Sequence, residues 1–514
     1  FSYTRNGLFY VPLFLLLGAA GRTCSRRASL WGLMFSLGAM SGEGLWLHSL
    51  QVQRHDSMYL TLPLVMLFLF SLLLGANRGE ARTARRLSAL AYVLHPWCIV
   101  LVRFGAEVVG LEALLVKNSL GHFAAVLLLT ALVSAVLLVL RPMPIPAKVR
   151  AWREVDLEAL THNAAVLQKA LSPGQKLMAV VKADAYGHGA VRVCRRLQKS
   201  GVRAFAVACL SEGVALRKVG VRGTILILGY TPPEAAPLLR RWHLTQTVAD
   251  AAHGLELNKQ GQRIQVHLAL DTGMHRLGIS AKNRDEIAAM YRLPNLKIKG
   301  VFSHLCVSDS LTERDERYTQ QQTELFFDTV SWMRQHGFAP GAIHLQASYG
   351  IWNLMPQSCA YARAGIALYG VRSDGAPVRR NLDLRPVLSL RARVASVRRL
   401  HPDEGAGYGL AFHADRETWL AVVTIGYGDG LPRELSQRGG EVLIRGRRCP
   451  MVGRMCMDQL LVDVTELDAV SPGDVVTLIG RDGGQEIRAE ETAERCGTIT
   501  NELLSRLGSR ISIK

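Results

Sequence analysis

The feature that most limits how this chain can fold is a break in hydropathy near residue 141. Before it, two runs of 21 residues, Ser57–Asn77 and Leu120–Leu140, carry no formal charge. A helix of that length reaches across the roughly 30 Å of a bilayer's hydrocarbon. Few soluble helices stay apolar around their whole circumference for so long. Three weaker candidates, Asn6–Gly21, about Ala28–Leu47 (interrupted by Glu43) and Leu87–Val102, bring the expected total to about five spans. Arginines follow the odd-numbered spans: Arg22, Arg26 and Arg27, then Arg78, Arg82, Arg85 and Arg86, then Arg141, Lys148 and Arg150. The other loops are poorer in them. Positive loops stay inside, so the expectation is a multi-pass cell-membrane protein with everything after the fifth span in the cytoplasm. The chain opens on Phe1 rather than Met, shows no signal-peptide pattern, and reads as a piece of a longer protein.

The net charge is +19 over 514 residues. With no zinc-finger spacing, RNA-binding aromatic motif or long basic block, the arginines beside apolar segments are better explained as membrane flanks. No nucleic-acid partner is expected. The nine cysteines are odd in number, irregular in spacing and contain no Cys-X-X-Cys. That points to reduced thiols and to neither a disulfide framework nor a metal site.

The Pro142, Pro144 and Pro146 stretch reads as a stiff linker over 142–151. From 152 to 382, short apolar runs alternate with helical stretches: Leu177–Val181, Ala204–Ala208, Thr224–Leu228, Ile264–Leu270, Ile298–Phe302 and Ala342–Leu345. This predicts a parallel α/β (TIM-like) barrel. From 383 to 514 the runs Val387–Val397, Trp419–Ile425, Glu441–Ile444, Gln459–Val464 and Val475–Leu478 are separated by turn residues. A mainly-β C-terminal domain is expected there. The fold class is thus multi-domain: an α-helical transmembrane segment over 1–141, then the barrel, then the β domain.

The most informative string is Met178-Ala-Val-Val-Lys-Ala-Asp-Ala-Tyr-Gly-His-Gly189. An apolar strand ends in Lys182, and the C-terminal end of a barrel strand faces the active-site mouth. A lysine there can bond covalently to an aldehyde cofactor. The string resembles the pyridoxal phosphate signature of the alanine racemase family, and the resemblance runs from about Trp152 to the C-terminus. It implies a head-to-tail homodimer acting on a small amino acid. Lys182 would hold the cofactor and Tyr186 would contact its phosphate. Asp271-Thr-Gly-Met-His-Arg-Leu-Gly278 resembles a second family motif, with His275 where the family has glycine; Arg276 would support the cofactor's phenolic oxygen and face the substrate. Phe302-Ser-His304 sets His304 against the ring. Ser348 matches a phosphate-binding serine. In Arg363-Ala-Gly-Ile-Ala-Leu-Tyr-Gly370, Arg363 would face the ring nitrogen, and the backbone of Gly365 and Ile366 would hold phosphate. In the β domain, Tyr408 matches the second catalytic residue, Tyr427 lies near the substrate entrance, and Met457 would meet the substrate carboxylate through its backbone N–H. Singly, each could be a solvated arginine, a turn tyrosine or a core histidine; in order over so much of the chain, that becomes improbable.

The implied chemistry needs bases on opposite faces of the substrate's α-carbon, Lys182 on one and Tyr408, from the neighbouring subunit, on the other. The product would be D-alanine, D-serine or both, feeding cell-wall precursors. Three departures stand out: Ala269 where the family often has a carbamylated lysine, Ala347 before Ser348 where it has asparagine, and Asn501 where it has a tyrosine that touches phosphate and crowds the substrate. Asn501 makes room and offers hydrogen bonds to a substrate hydroxyl. With the membrane segment, it resembles the membrane-bound serine/alanine racemases of vancomycin-resistance clusters. Tyr92–Arg103 resembles the end of an acyltransferase-3-type membrane domain. The rival reading is a pyridoxal-phosphate-binding membrane protein with a sensor or transport role.

Overall fold

The computed structural model describes residues 26–49, 97–116, 122, 125–133 and 149–514. Two units separate, Phe1–Ile145 and Pro146–Lys514. In the first, the helix Arg26–Ser49 has 24 residues. It coincides with the second expected span and is long enough for a bilayer. Its glycines, serines, two arginines and Glu43 dilute the hydropathy. Among the described residues no helix is both long and apolar enough to cross a membrane. Asn6–Gly21 and Ser57–Asn77 lie outside the described residues, as do most of Leu87–Val102 and about half of Leu120–Leu140.

The second unit holds two closed sheets. Strand β1 (Ala151–Val155) is followed by β2 (Lys176–Val180), β3 (Ala204–Val207), β4 (Thr224–Ile227), β5 (Thr245–Val248), β6 (Ile264–Asp271), β7 (Ile279–Ser280), β8 (Leu296–Phe302), β9 (Ala342–Ala347) and β10 (Tyr361–Ala364). Strands β2 to β6 and β8 to β10 pair in parallel, and β10 returns to β2. That is an eight-stranded parallel barrel, with β7 a short addition to β6. The helices between strands cover it, as parallel crossovers require. Strands β5 and β10 escape a search for apolar runs. Thr245-Gln-Thr-Val248 is fully buried despite its polar residues, and β10 carries Arg363 into the barrel.

The β domain comprises β11 (Leu388–Leu400), β12 (Gly405–Ala406), β13 (Phe412–His413), β14 (Thr418–Val423), β15 (Glu441–Ile444), β16 (Arg447–Val452), β17 (Leu460–Asp463), β18 (Val475–Asp482), β19 (Gln485–Ile487) and β20 (Ser512–Ile513). Strands β11, β14, β17, β16, β15 and β18 close an antiparallel ring. Closure leaves no free edge in that ring. Strand β1 precedes the barrel in sequence but pairs with β11, Ala151 opposite Ala392 and Val155 opposite Leu388. The chain thus starts in one domain, builds the other, and returns.

Candidate active site

Strand β2 ends at Val180, and the backbone then turns against its natural hand. Ala183, Asp184, Ala185 and Tyr186 all have φ between 51° and 58°. This left-handed turn costs L-residues roughly 1–2 kcal/mol each, so neighbours must hold it. Glu212 bridges its start to β3: one carboxylate oxygen accepts from Ala183 N–H and the other from Ala208 N–H, both at 2.7 Å. At its exit, Gly187 passes against the Leu504 carbonyl, where a Cβ would collide. Arg153 of β1, buried, donates to the Gly187 carbonyl at 2.5 Å and the Ile511 carbonyl at 2.9 Å. His188 donates from Nδ1 to the carbonyls of Ala185 and Tyr186, 2.9 and 2.8 Å.

Lys182, at the head of this turn, opens into a cavity of about 460 Å³. Burial lowers its pKa, the nearby Arg276 guanidinium lowers it further, and Glu212 partly opposes them. Tyr186, Arg276, His304, Ser348, Arg363, Gly365, Ile366 and Asn501 line the same cavity. Tyr186 is almost fully buried, which pushes its phenol to about 12 and keeps it protonated. A Cβ on Gly365 would stand 2.7 Å from the Tyr186 hydroxyl, so only glycine lets that phenol approach the backbone. Ser348 Oγ accepts from the N–H groups of Gly365 and Ala367, at 3.0 and 3.2 Å. Ala269, at the carbamyl-lysine position, is on the cavity wall.

Arg363 is the electrostatic centre. Its Nη1 donates to His344 Nδ1 (2.7 Å) and the His344 carbonyl (3.1 Å). Its Nη2 donates to the carbonyls of Ser303 (2.7 Å) and Leu345 (3.0 Å) and to His304 Nδ1 (3.2 Å). Guanidinium only donates, so both imidazoles accept at Nδ1 and carry their proton on Nε2. His344 Nε2 then donates to His267 Nδ1 at 2.9 Å. Burial and the Arg363 charge hold these rings neutral, His304 at about 3, His267 at about 4 and His344 well below its usual range. Arg363 itself, wholly desolvated, falls to about 10. Its Nε–H makes no hydrogen bond among the described residues.

The set fits pyridoxal phosphate: a strand-end lysine at the cavity, hydroxyl and backbone groups around Gly365 suited to phosphate, and a cation rather than a carboxylate for the ring nitrogen. Among the described residues, no His, Cys, Asp and Glu groups are arranged to hold a metal.

Three residues that the sequence placed at the site do not line this cavity: Tyr408, Tyr427 and Met457. They gather on the β domain and stand 66%, 38% and 53% exposed. The Tyr427 turn is bonded to the Met457 segment, Tyr427 N–H to the Cys456 carbonyl (3.2 Å) and Gly428 N–H to the Met457 carbonyl (2.8 Å). Tyr408 sits in the turn between β12 and β13, which packs on Arg454.

Several residues escaped sequence reasoning. His267 and His344 interrupt apolar strand runs, which was the available signal. Glu212 gave none. His275 has φ of 55°, which explains why the related motif carries glycine there. Asp271 compensates, accepting from the His275 N–H at 3.0 Å and from its ring at 2.8 Å.

Residues 155–373 match the family described as alanine racemase, N-terminal domain, and residues 387–514 match alanine racemase, C-terminal domain. An amino-acid racemase of Enterococcus faecalis is 42% identical over 533 residues, covering 100% of this chain and 74% of that protein. A serine/alanine racemase of Enterococcus gallinarum is 38% identical over 99% of this chain and 73% of its own length. Among solved structures, alanine racemase from Clostridium difficile 630 superposes with a TM-score of 0.67 at 32% identity, over 71% of this chain and 95% of that one. With both domains matched in order and the cavity assembled as described, the chain belongs to the alanine racemase family, whose members depend on pyridoxal phosphate and are typically dimeric.

Proposed function

We propose that this chain interconverts the L and D forms of serine and alanine at a site shared between two copies, with Lys182 of one and Tyr408 of the other as the opposing bases. The observation that carries this is the division of the site: nine predicted residues surround one cavity, and three stand exposed on the β domain. When bound, pyridoxal phosphate supplies the electron sink that makes the α-proton removable. Lys182 Nζ moves that proton on one face; burial and Arg276 favour its neutral, basic form. The Tyr408 hydroxyl moves it on the other. Arg363 offers the ring nitrogen a donor, and that keeps a proton off it. Ser348, Gly365 and Tyr186 hold the phosphate end. The test is Tyr408→Phe: racemisation should vanish while the cofactor's absorbance band stays. Turnover in both directions would overturn the two-base reading.

Serine enters through Asn501, which lines the cavity. Turnover of L-serine and L-alanine in parallel, for the parent and for Asn501→Tyr, tests it. An unaltered ratio between the two substrates ends that reading. The D-amino acids formed would serve as cell-wall precursor units, the context in which resistance-type serine/alanine racemases act.

We also propose that the first unit anchors the enzyme to the cell membrane, with the racemase portion in the cytoplasm. Support comes from the uncharged runs Ser57–Asn77 and Leu120–Leu140 and from exposed Trp31, Phe35 and Trp46 on the helix Arg26–Ser49. The likeness of Tyr92–Arg103 to the end of an acyltransferase-3-type domain agrees with such a segment. After alkaline extraction, activity should stay with the membrane pellet; full release into the supernatant would rule the anchor out.

A further inference from the structure

An asparagine amide has an accepting end and a donating end, and which one faces a cavity decides what it recognises. The C-terminal helix Thr500–Arg506 brings Asn501 to the wall of the Lys182 cavity. There its Oδ1 is taken: Ser373 Oγ donates to it at 2.8 Å. Its Nδ2 makes no hydrogen bond among the described residues. Ser373 is itself fixed. Its N–H donates to Tyr349 Oη at 3.0 Å, and its carbonyl accepts from Thr500 N–H at 2.8 Å. On either side of it, Arg372 N–H donates to Glu490 Oε1 (2.9 Å) and Ala376 N–H to Asp374 Oδ1 (3.0 Å). The Ser373 hydroxyl thus comes from an anchored backbone, in a loop that leaves the barrel after β10.

We propose that Ser373 is a positioning residue for substrate choice: it holds one end of the Asn501 amide at the cavity wall and leaves the other end free to hydrogen-bond, and so favours an amino acid whose side chain carries a hydroxyl, as serine does. The proposal rests on Asn501 acting in specificity. It adds a second residue, distant in sequence, that fixes where the amide stands.

The experiment uses the holoenzyme and two amino acids without an α-proton, 2-methylserine and 2-aminoisobutyrate, so that binding is read apart from catalysis. Each is titrated while the cofactor absorbance is followed. Ser373→Ala should reduce the ratio of 2-methylserine to 2-aminoisobutyrate affinity about tenfold, the scale of one net hydrogen bond. The kcat/KM ratio for serine over alanine should fall alongside it, through KM more than kcat. Ser373→Thr, which keeps the hydroxyl, should restore both. If Ser373→Ala loses its cofactor band or its cooperative melt, Ser373→Cys serves: it keeps the volume, donates weakly, and should also lower the ratio. An unchanged ratio in the serine variants while Asn501→Tyr alters it overturns the role of Ser373 and leaves Asn501 standing. Ratios unchanged in all of them overturn both.

Discussion

The barrel cavity and the exposed group on the β domain are built in opposite ways. Around Lys182 most of the side chains come from the C-terminal ends of barrel strands and the turns that follow them, and their hydrogen bonds are made inside one chain. Arg363 alone engages three carbonyls and two imidazoles. Tyr408, Tyr427 and Met457 ride on turns and face outward. One half is complete in tertiary structure. The other, on the proposed reading, would become part of a site only when a second copy covers it. An exposed tyrosine on a turn is ordinary; three residues at family-matched positions exposed together are what the proposed shared site requires.

The largest expected effect tests whether the halves belong to different copies. Lys182→Ala and Tyr408→Phe should each lower racemisation by about 10³-fold or more. Mixed after unfolding and refolding together, the two dead variants should recover about a quarter of the parent's activity, because half of the dimers are mixed and each has one intact site. No recovery, with mixed dimers demonstrated, would place both residues in one copy's site.

Stability should separate the halves next. Arg363→Met leaves His344 and several buried carbonyls without their donor and should cost about 3–5 kcal/mol. Tyr408→Phe, on the exposed side, should stay within about 0.5 kcal/mol. Denaturant midpoints of the two variants decide it. Equal losses would mean that the β-domain group is as integral to the fold as the cavity.

The cavity half should also be the acid-sensitive one. His188 and His267 sit at about 4 in the folded chain and His304 at about 3, all because burial disfavours their charged form. In the unfolded chain they titrate near 6.5. Between those values the unfolded state binds more protons, so stability falls as pH drops below about 6.5 and keeps falling to about 4. His188 and His267 should each account for on the order of 3 kcal/mol of that loss. Thermal melts across this range check it; a flat profile would place these rings in contact with water.

The smallest effect is electrostatic. Arg276 lowers the Lys182 pKa, so Arg276→Gln should move the acid limb of the kcat profile, which reports Lys182 once substrate has freed it, to higher pH. A limb that does not move would remove Arg276 from the tuning of Lys182.

Much of this was legible in the residues. Lys182 was identified as a strand-end lysine because five apolar residues precede it and two glycines follow closely. The barrel emerged from the alternation of apolar runs, although β5 and β10 were invisible: Gln246 and Arg363 are buried residues of types that usually sit at the surface. The pairing of β1 with β11 joins residues more than 200 apart, and five residues of ordinary strand composition do not name their partner. The left-handed turn was hidden for a plainer reason. Alanine, aspartate and tyrosine disfavour positive φ, so their identities argue against the geometry they adopt. Ser373 was overlooked because a lone serine after a glycine-ended turn has no pattern.

That turn has a stereochemical consequence. At positions 183 to 186 the backbone follows the mirror image of the conformation that L-residues favour. A D-alanine at 183 or 185 would rest there without the roughly 1–2 kcal/mol penalty that its L counterpart carries. The residues just after Lys182 therefore hold, in the backbone itself, the handedness of one of the proposed products. Glu212, Arg153 and the Leu504 segment keep L-residues in a shape that the opposite enantiomer would take unaided.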